Sequence, residues 1–239
     1  MTDFRERAVL GALSLLSVTT GAVDALSFLV LGHVFTALAT GNLLFLAFAL
    51  GGTSDIPSAV PSTVSLAAFV LGVVCGSALI RLLRRRRPFW LPHTLAAEAV
   101  LLAVAAVVAL GWPGDGSVSS GQRYAVIGLV ALAMGLRNIG VVRAPITGMT
   151  TLLIQIPLVT LIGTLLVPGT TASGEREIRF VRPVATVAGM FLGGLAGTLM
   201  VPWGPSPALF VLSGVVALIA ASGLLLSPGD AETVAGRSV

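Results

Sequence analysis

Eight long apolar runs, separated mostly by short polar or Gly- and Pro-rich stretches, decide what this chain can become. They cover residues 8–31, 34–51, 57–80, 91–111, 122–142, 146–167, 183–201 and 207–227. About 20 apolar residues span the hydrocarbon core of a bilayer as a helix, and a backbone in lipid must pair its polar groups internally. Only 10% of the residues are charged and the mean hydropathy is +1.01, whereas soluble domains are roughly 25% charged. The expectation is an all-α, polytopic transmembrane bundle that forms a single domain over residues 1–239. Gly32 and His33 alone separate the first two runs, and the second run is short. A tight hairpin and a re-entrant piece are both open there, so six to eight spans fit. The polar tail, 228–239, is expected to be disordered.

The net charge is +4, and five of the fourteen basic residues, Arg81, Arg84, Arg85, Arg86 and Arg87, fall within one loop. Basic loops between apolar runs stay in the cytoplasm, which assigns loop 81–88 to that side and the arginine-free stretch 51–62 to the other. The loop suits anionic lipid headgroups. Without interleaved aromatic residues it does not suit nucleic acid. The first run, long and without a cleavage motif, is expected to remain as a span. The single Cys75 lies in an apolar run, which suggests a packing role. Two lone histidines, His33 and His93, make no metal site. No G-x-S-x-G elbow occurs, and a chain without lysine has no phosphate-binding loop. One intramembrane aspartate makes no aspartate dyad. The chain is therefore read as a non-enzyme without cofactor or metal, whose first partner is the lipid bilayer. A homo-oligomer is compatible with it.

Two stretches repeat. FVLGVVCGSAL at 69–79 and MFLGGLAGTLM at 190–200 share L-G-x-x-x-G-[ST]-x-[LM]. TGAVDAL at 20–26 has a looser counterpart in MGLRNIG at 134–140, where Asp24 answers Asn138. Chance similarity between apolar stretches competes with a second explanation, two related halves at about 8–111 and 122–227, as in many transporters. Gly72 with Gly76, and Gly193 with Gly197, lie one helical turn apart and let helix backbones approach closely.

Asp24 sits seven residues before the end of its run, where an ionised carboxylate costs at least ~2.5 kcal/mol. Ser14, Ser17, Thr20, Asp24 and Ser27 recur at helical spacing, so they form a polar stripe that must face protein or water. Either structural partners neutralise the acid or it lines a binding cavity. Arg137 and Asn138 are candidate partners across the two halves, and Glu98 competes for the same arginine. Thr36, Thr40, Gly41 and Asn42 open the second run, where a glycine and an asparagine weaken the helix and free carbonyl groups. Residues 145–155, PITGMTTLLIQ, supply similar groups.

These residues carry a resemblance. TGAVDALSFLVLGHVFTALATGN, residues 20–42, is similar to the signature of the YoaK-like family of bacterial membrane proteins, a domain of unknown function. That signature reads T-G-x-x-D-A-x-S-[FY]-L-x-L-G-x-V-F, followed by T-G-N. GLRNIGVVRAPITGMTTLL, 135–153, resembles the family's second motif, although Arg137 stands where glutamine is expected. The resemblance extends over about residues 8–225. It implies a helical protein of the bacterial inner membrane and no particular activity. Two functions remain open. One is a secondary transporter or permease for a small solute, with Asp24, Thr40, Asn42, Arg137 and Asn138 as its site and Asp24 as a proton carrier. The other is a scaffold, sensor or complex subunit.

Overall fold

The structure, a computed structural model, describes residues 2–52, 59–84, 90–112, 118–143, 162 and 181–226. The sixth apolar run at 146–167, apart from Ile162, lies outside them, as do Arg85, Arg86, Arg87 and the tail from 228. The described helices are α1 (Thr2–Val30), α2 (Ala39–Leu50), α3 (Ala59–Arg84), α4 (Leu91–Val108), α5 (Ser120–Arg143), α6 (Arg182–Met200) and α7 (Pro205–Leu226). Prolines stand in the first turns of α3, α4, α6 and α7. There the missing N–H is no loss and the fixed φ favours the helix. Six of the helices are long and apolar enough to cross a membrane. The chain is a helical, multi-pass membrane protein. With 12 residues, α2 rises only about 18 Å.

Glycines set the closest helix contacts. A Cβ on Gly193 would overlap the Val18 carbonyl oxygen, one on Gly197 would strike the Ala22 backbone, and one on Gly21 would overlap the Met190 carbonyl oxygen. The contact pairs advance together, so α1 and α6 run parallel. At the α3–α5 interface, a Cβ on Gly72 would overlap the Leu132 carbonyl, one on Gly76 would crowd Leu136 and Ile139, and one on Gly135 would overlap the Phe69 carbonyl. This pair is parallel as well. By contrast, α4 and α7 run antiparallel: Ser206 Oγ donates to the Ala106 carbonyl at 2.9 Å and Ser213 Oγ to the Ala99 carbonyl at 2.8 Å. Helices α4 and α5 are antiparallel too, with Gly140 against Thr94 and Gln122 donating to the Val108 carbonyl at 2.8 Å.

With the six described long helices as crossings, these directions fix the connection between α1 and α3. Only the turn at Val201–Trp203 and Gly204 joins α6 to α7, so α7 crosses back against α6 and against its parallel partner α1. Because α4 opposes α7, it runs with α1, and α3 runs against α1. The chain therefore returns to the same face before α3 begins, and residues 31–50 form a re-entrant element. This resolves the open choice between a hairpin of two crossings and a re-entrant piece.

The core is apolar where lipid would otherwise intrude. Leu102, Ala105, Ala106, Val126, Ile127, Val130, Met134 and Val216 are all fully buried. Cys75, expected to be packing material, is exposed on the outer surface of α3 instead. Its glycine neighbours, Gly72 and Gly76, take the helix face that meets α5, which turns position 75 outward.

Candidate functional site

The re-entrant element begins with a reversal at Gly32 (φ 114°) and His33 (φ 58°). Non-helical backbone at membrane depth survives only when protein or enclosed water satisfies it, and here polar side chains on three helices do so. From α1, Asp24 Oδ1 accepts the N–H of Thr36 at 2.9 Å and of Ala37 at 2.8 Å. Ser27 and Thr36 join their hydroxyls at 2.9 Å. Asp24 lies six residues before the last residue of α1, about 9 Å below the helix end. The chain therefore dips to that depth before α2 starts.

Asn42 completes the clasp from α2. Its Oδ1 accepts the Phe35 N–H at 3.0 Å, while Nδ2 donates to the Phe35 carbonyl and to Ser65 Oγ at 3.0 Å. From α3, Ser65 Oγ donates to the same carbonyl at 2.8 Å. A single amide thus matches both backbone groups of one residue, as a neighbouring strand would. Stacking of Phe35 on Phe28, with centroids 5.0 Å apart, and on Phe45, 6.0 Å apart, packs the bend from outside.

The second polar cluster lies deeper. Arg137 and Glu98 are both wholly buried and form an ion pair between α5 and α4. Arg137 Nη1 also donates to Thr20 Oγ1 at 2.8 Å and to the Leu16 carbonyl at 3.1 Å, which ties α1 to the pair. Thr20 is one helical turn from Asp24, so the α1 stripe connects the two clusters. Ser17, Thr20, Asp24 and Ser27 are all buried. Among the described residues, Asp24 Oδ2, Glu98 Oε2 and Arg137 Nε have no hydrogen-bond partner.

The expected site is therefore divided. Asp24 does not pair with Arg137: Glu98 holds the arginine, and backbone N–H groups hold the aspartate. Asn42 joins the Asp24 cluster through the bend. Asn138 is half-buried beside Arg137 on α5, and Thr40 is exposed on α2. Thr40 stands two residues before the inward-facing Asn42, and on a helix that step turns it away. Sequence reading missed Ser65 and the clasped Phe35 backbone. Ser62 and Ser65, at helical spacing in an apolar run, were the available signal.

A family model described as a protein of unknown function, DUF1275, matches residues 12–222. The chain belongs to this family. It is also 36% identical over 95 residues to the UPF0700 transmembrane protein YoaK of Bacillus subtilis (strain 168), a match covering 38% of this chain and 41% of that protein. The chain thus aligns with less than half the length of this relative. No solved structure matches. The two polar clusters and the glycine contacts all fall inside the stretch that defines the DUF1275 family.

Proposed function

We propose that this member of the DUF1275 family is a secondary transporter or permease for a small solute, built from two halves that move against each other. The observation that carries the reading is the re-entrant bend clasped by Asp24 and Asn42, one helical turn above a buried Glu98–Arg137 pair. Interrupted helices with polar groups near mid-membrane are where transporters place their sites. Buried ionisable residues in crossings mark solute or ion paths. Asp24, Asn42, Arg137 and Asn138 are the residues we assign to the site.

The glycine contacts support the two halves. Gly21 meets Met190 as Gly135 meets Phe69, and Gly193 meets Val18 as Gly72 meets Leu132. These are the positions that the two sequence repeats equate. Helices α1 and α5 run in opposite directions, the arrangement of inverted repeats that rock around a shared centre. Arg81 and Arg84 end α3 and Arg143 ends α5 on the face from which α1 starts. The positive-inside rule makes that face cytoplasmic, consistent with a bacterial inner membrane.

Flux of a panel of radiolabelled small metabolites into proteoliposomes tests the proposal. Saturable uptake that Asp24→Asn lowers at least tenfold is expected. The competing assignment, a scaffold, sensor or complex subunit presenting the arginines to anionic lipid or a partner, predicts no flux. It also predicts a stoichiometric partner that is lost when Arg84 to Arg87 are replaced.

A further inference from the structure

The two polar clusters do not balance electrically. Among the described residues, the charged side chains buried in the bundle are Asp24, Glu98 and Arg137. Glu98 takes the arginine's charge, and the remaining bonds of the guanidinium go to a neutral carbonyl and a hydroxyl. Among the described residues, Asp24 is left with the Thr36 and Ala37 N–H dipoles on Oδ1, a third from the nearby Leu38 N–H, and no hydrogen bond on Oδ2. Dipoles lower the energy of a carboxylate without cancelling its charge. With all three groups ionised, one negative charge stays in a medium that screens poorly.

We infer that the core takes up one monovalent positive charge at the free oxygen of Asp24, as a proton or an alkali cation. Under the transporter reading, and only under it, that charge is the coupling ion. The hydroxyls of Ser27 and Thr36 on the neighbouring turn are oxygen donors of the kind an alkali ion needs. The other titratable groups near the clusters are placed elsewhere. His33 is exposed at the tip of the bend, Arg123 approaches Gly32 there, and His93 is half-buried at the start of α4. Helix α7 carries no titratable side chain, and α6 carries none beyond Arg182.

The test uses the purified full chain in detergent and follows its apparent unfolding midpoint. In choline buffer, a proton at Asp24 makes the midpoint fall as pH rises, because the folded state keeps a proton that the unfolded chain releases. An alkali ion instead raises the midpoint with sodium chloride and not with choline chloride. Asp24→Asn abolishes whichever dependence the wild type shows. Glu98→Gln abolishes it too, with Asp24 intact, because it returns the arginine's charge to the core. If neither variant folds, infrared difference spectra of the wild type in vesicles decide. A protonated-carboxyl band on acidification supports the proton, and a carboxylate band shifted by sodium supports the cation. A wild type with no response to either ion, or an Asp24→Asn protein that keeps the wild-type response, overturns the proposal. An ion response without solute flux keeps the ion site and rejects the transporter.

Discussion

Asn42 does more for this fold than its size suggests, because its amide serves both backbone groups of Phe35. Removing it leaves a part-buried N–H without that partner, whereas Ser65 still reaches the carbonyl. One unsatisfied buried group costs about 1–3 kcal/mol. Asn42→Ala is thus expected to lower stability by about that amount and to speed hydrogen exchange at residues 34–38 selectively, as read by mass spectrometry. Glu98 and Arg137 form a more sensitive pair. Removing one partner strands a buried charge, at about 3–5 kcal/mol, while replacing both with apolar groups is often neutral. Arg137→Met, which strands the Glu98 charge, is expected to be strongly destabilising, Glu98→Gln less so because Asp24 then balances the arginine, and Glu98→Leu with Arg137→Met to regain most of the loss. A double variant no better than the worse single one would show that the charges do not compensate each other.

Among the helices, the tightest constraints lie where glycine brings backbones together. A leucine at Gly72 would collide with the Leu132 carbonyl and one at Gly193 with the Val18 carbonyl. Neither neighbour is a flexible side chain that can swing aside. Overpacking of this kind costs about 1–3 kcal/mol and often more. Gly72→Leu and Gly193→Leu are expected to lower the unfolding midpoint by similar amounts, while Gly214→Leu, where an added Cβ meets nothing within 4 Å, has little effect. These helices were legible in the sequence because lipid demands long apolar runs. The L-G-x-x-x-G pairs were legible because close packing demands small residues at a fixed spacing. The partner of Arg137 was not, because both Asp24 and Glu98 lie within apolar runs and spacing along a chain does not say which helix stands opposite. The placement of Thr40 was not legible either: α2 begins at Ala39, so the threonine and Asn42 look out of opposite sides of its first turn.

For the molecule as a whole, the helix directions place His33, Gly52 and Ser119 on one face, and Arg84 and Arg143 on the other. After Cys75→Ser, single cysteines at 33, 52 and 119 are expected to react with an impermeant maleimide from the same side of intact cells, and cysteines at 84 and 143 only after permeabilisation. Opposite labelling of 33 and 52 would mean that residues 34–50 cross the membrane. The parallel pairing of α1 with α6 also bears on how the protein is made. The face of α1 that carries Gly21 must wait for Met190 to leave the ribosome, roughly ten seconds or more at bacterial elongation rates. Asp24 has no such wait, because its N–H donors follow only twelve and thirteen residues later. The nascent chain can sheathe its acid while the translocon still holds it, and leave its glycine seam open until the last helices arrive.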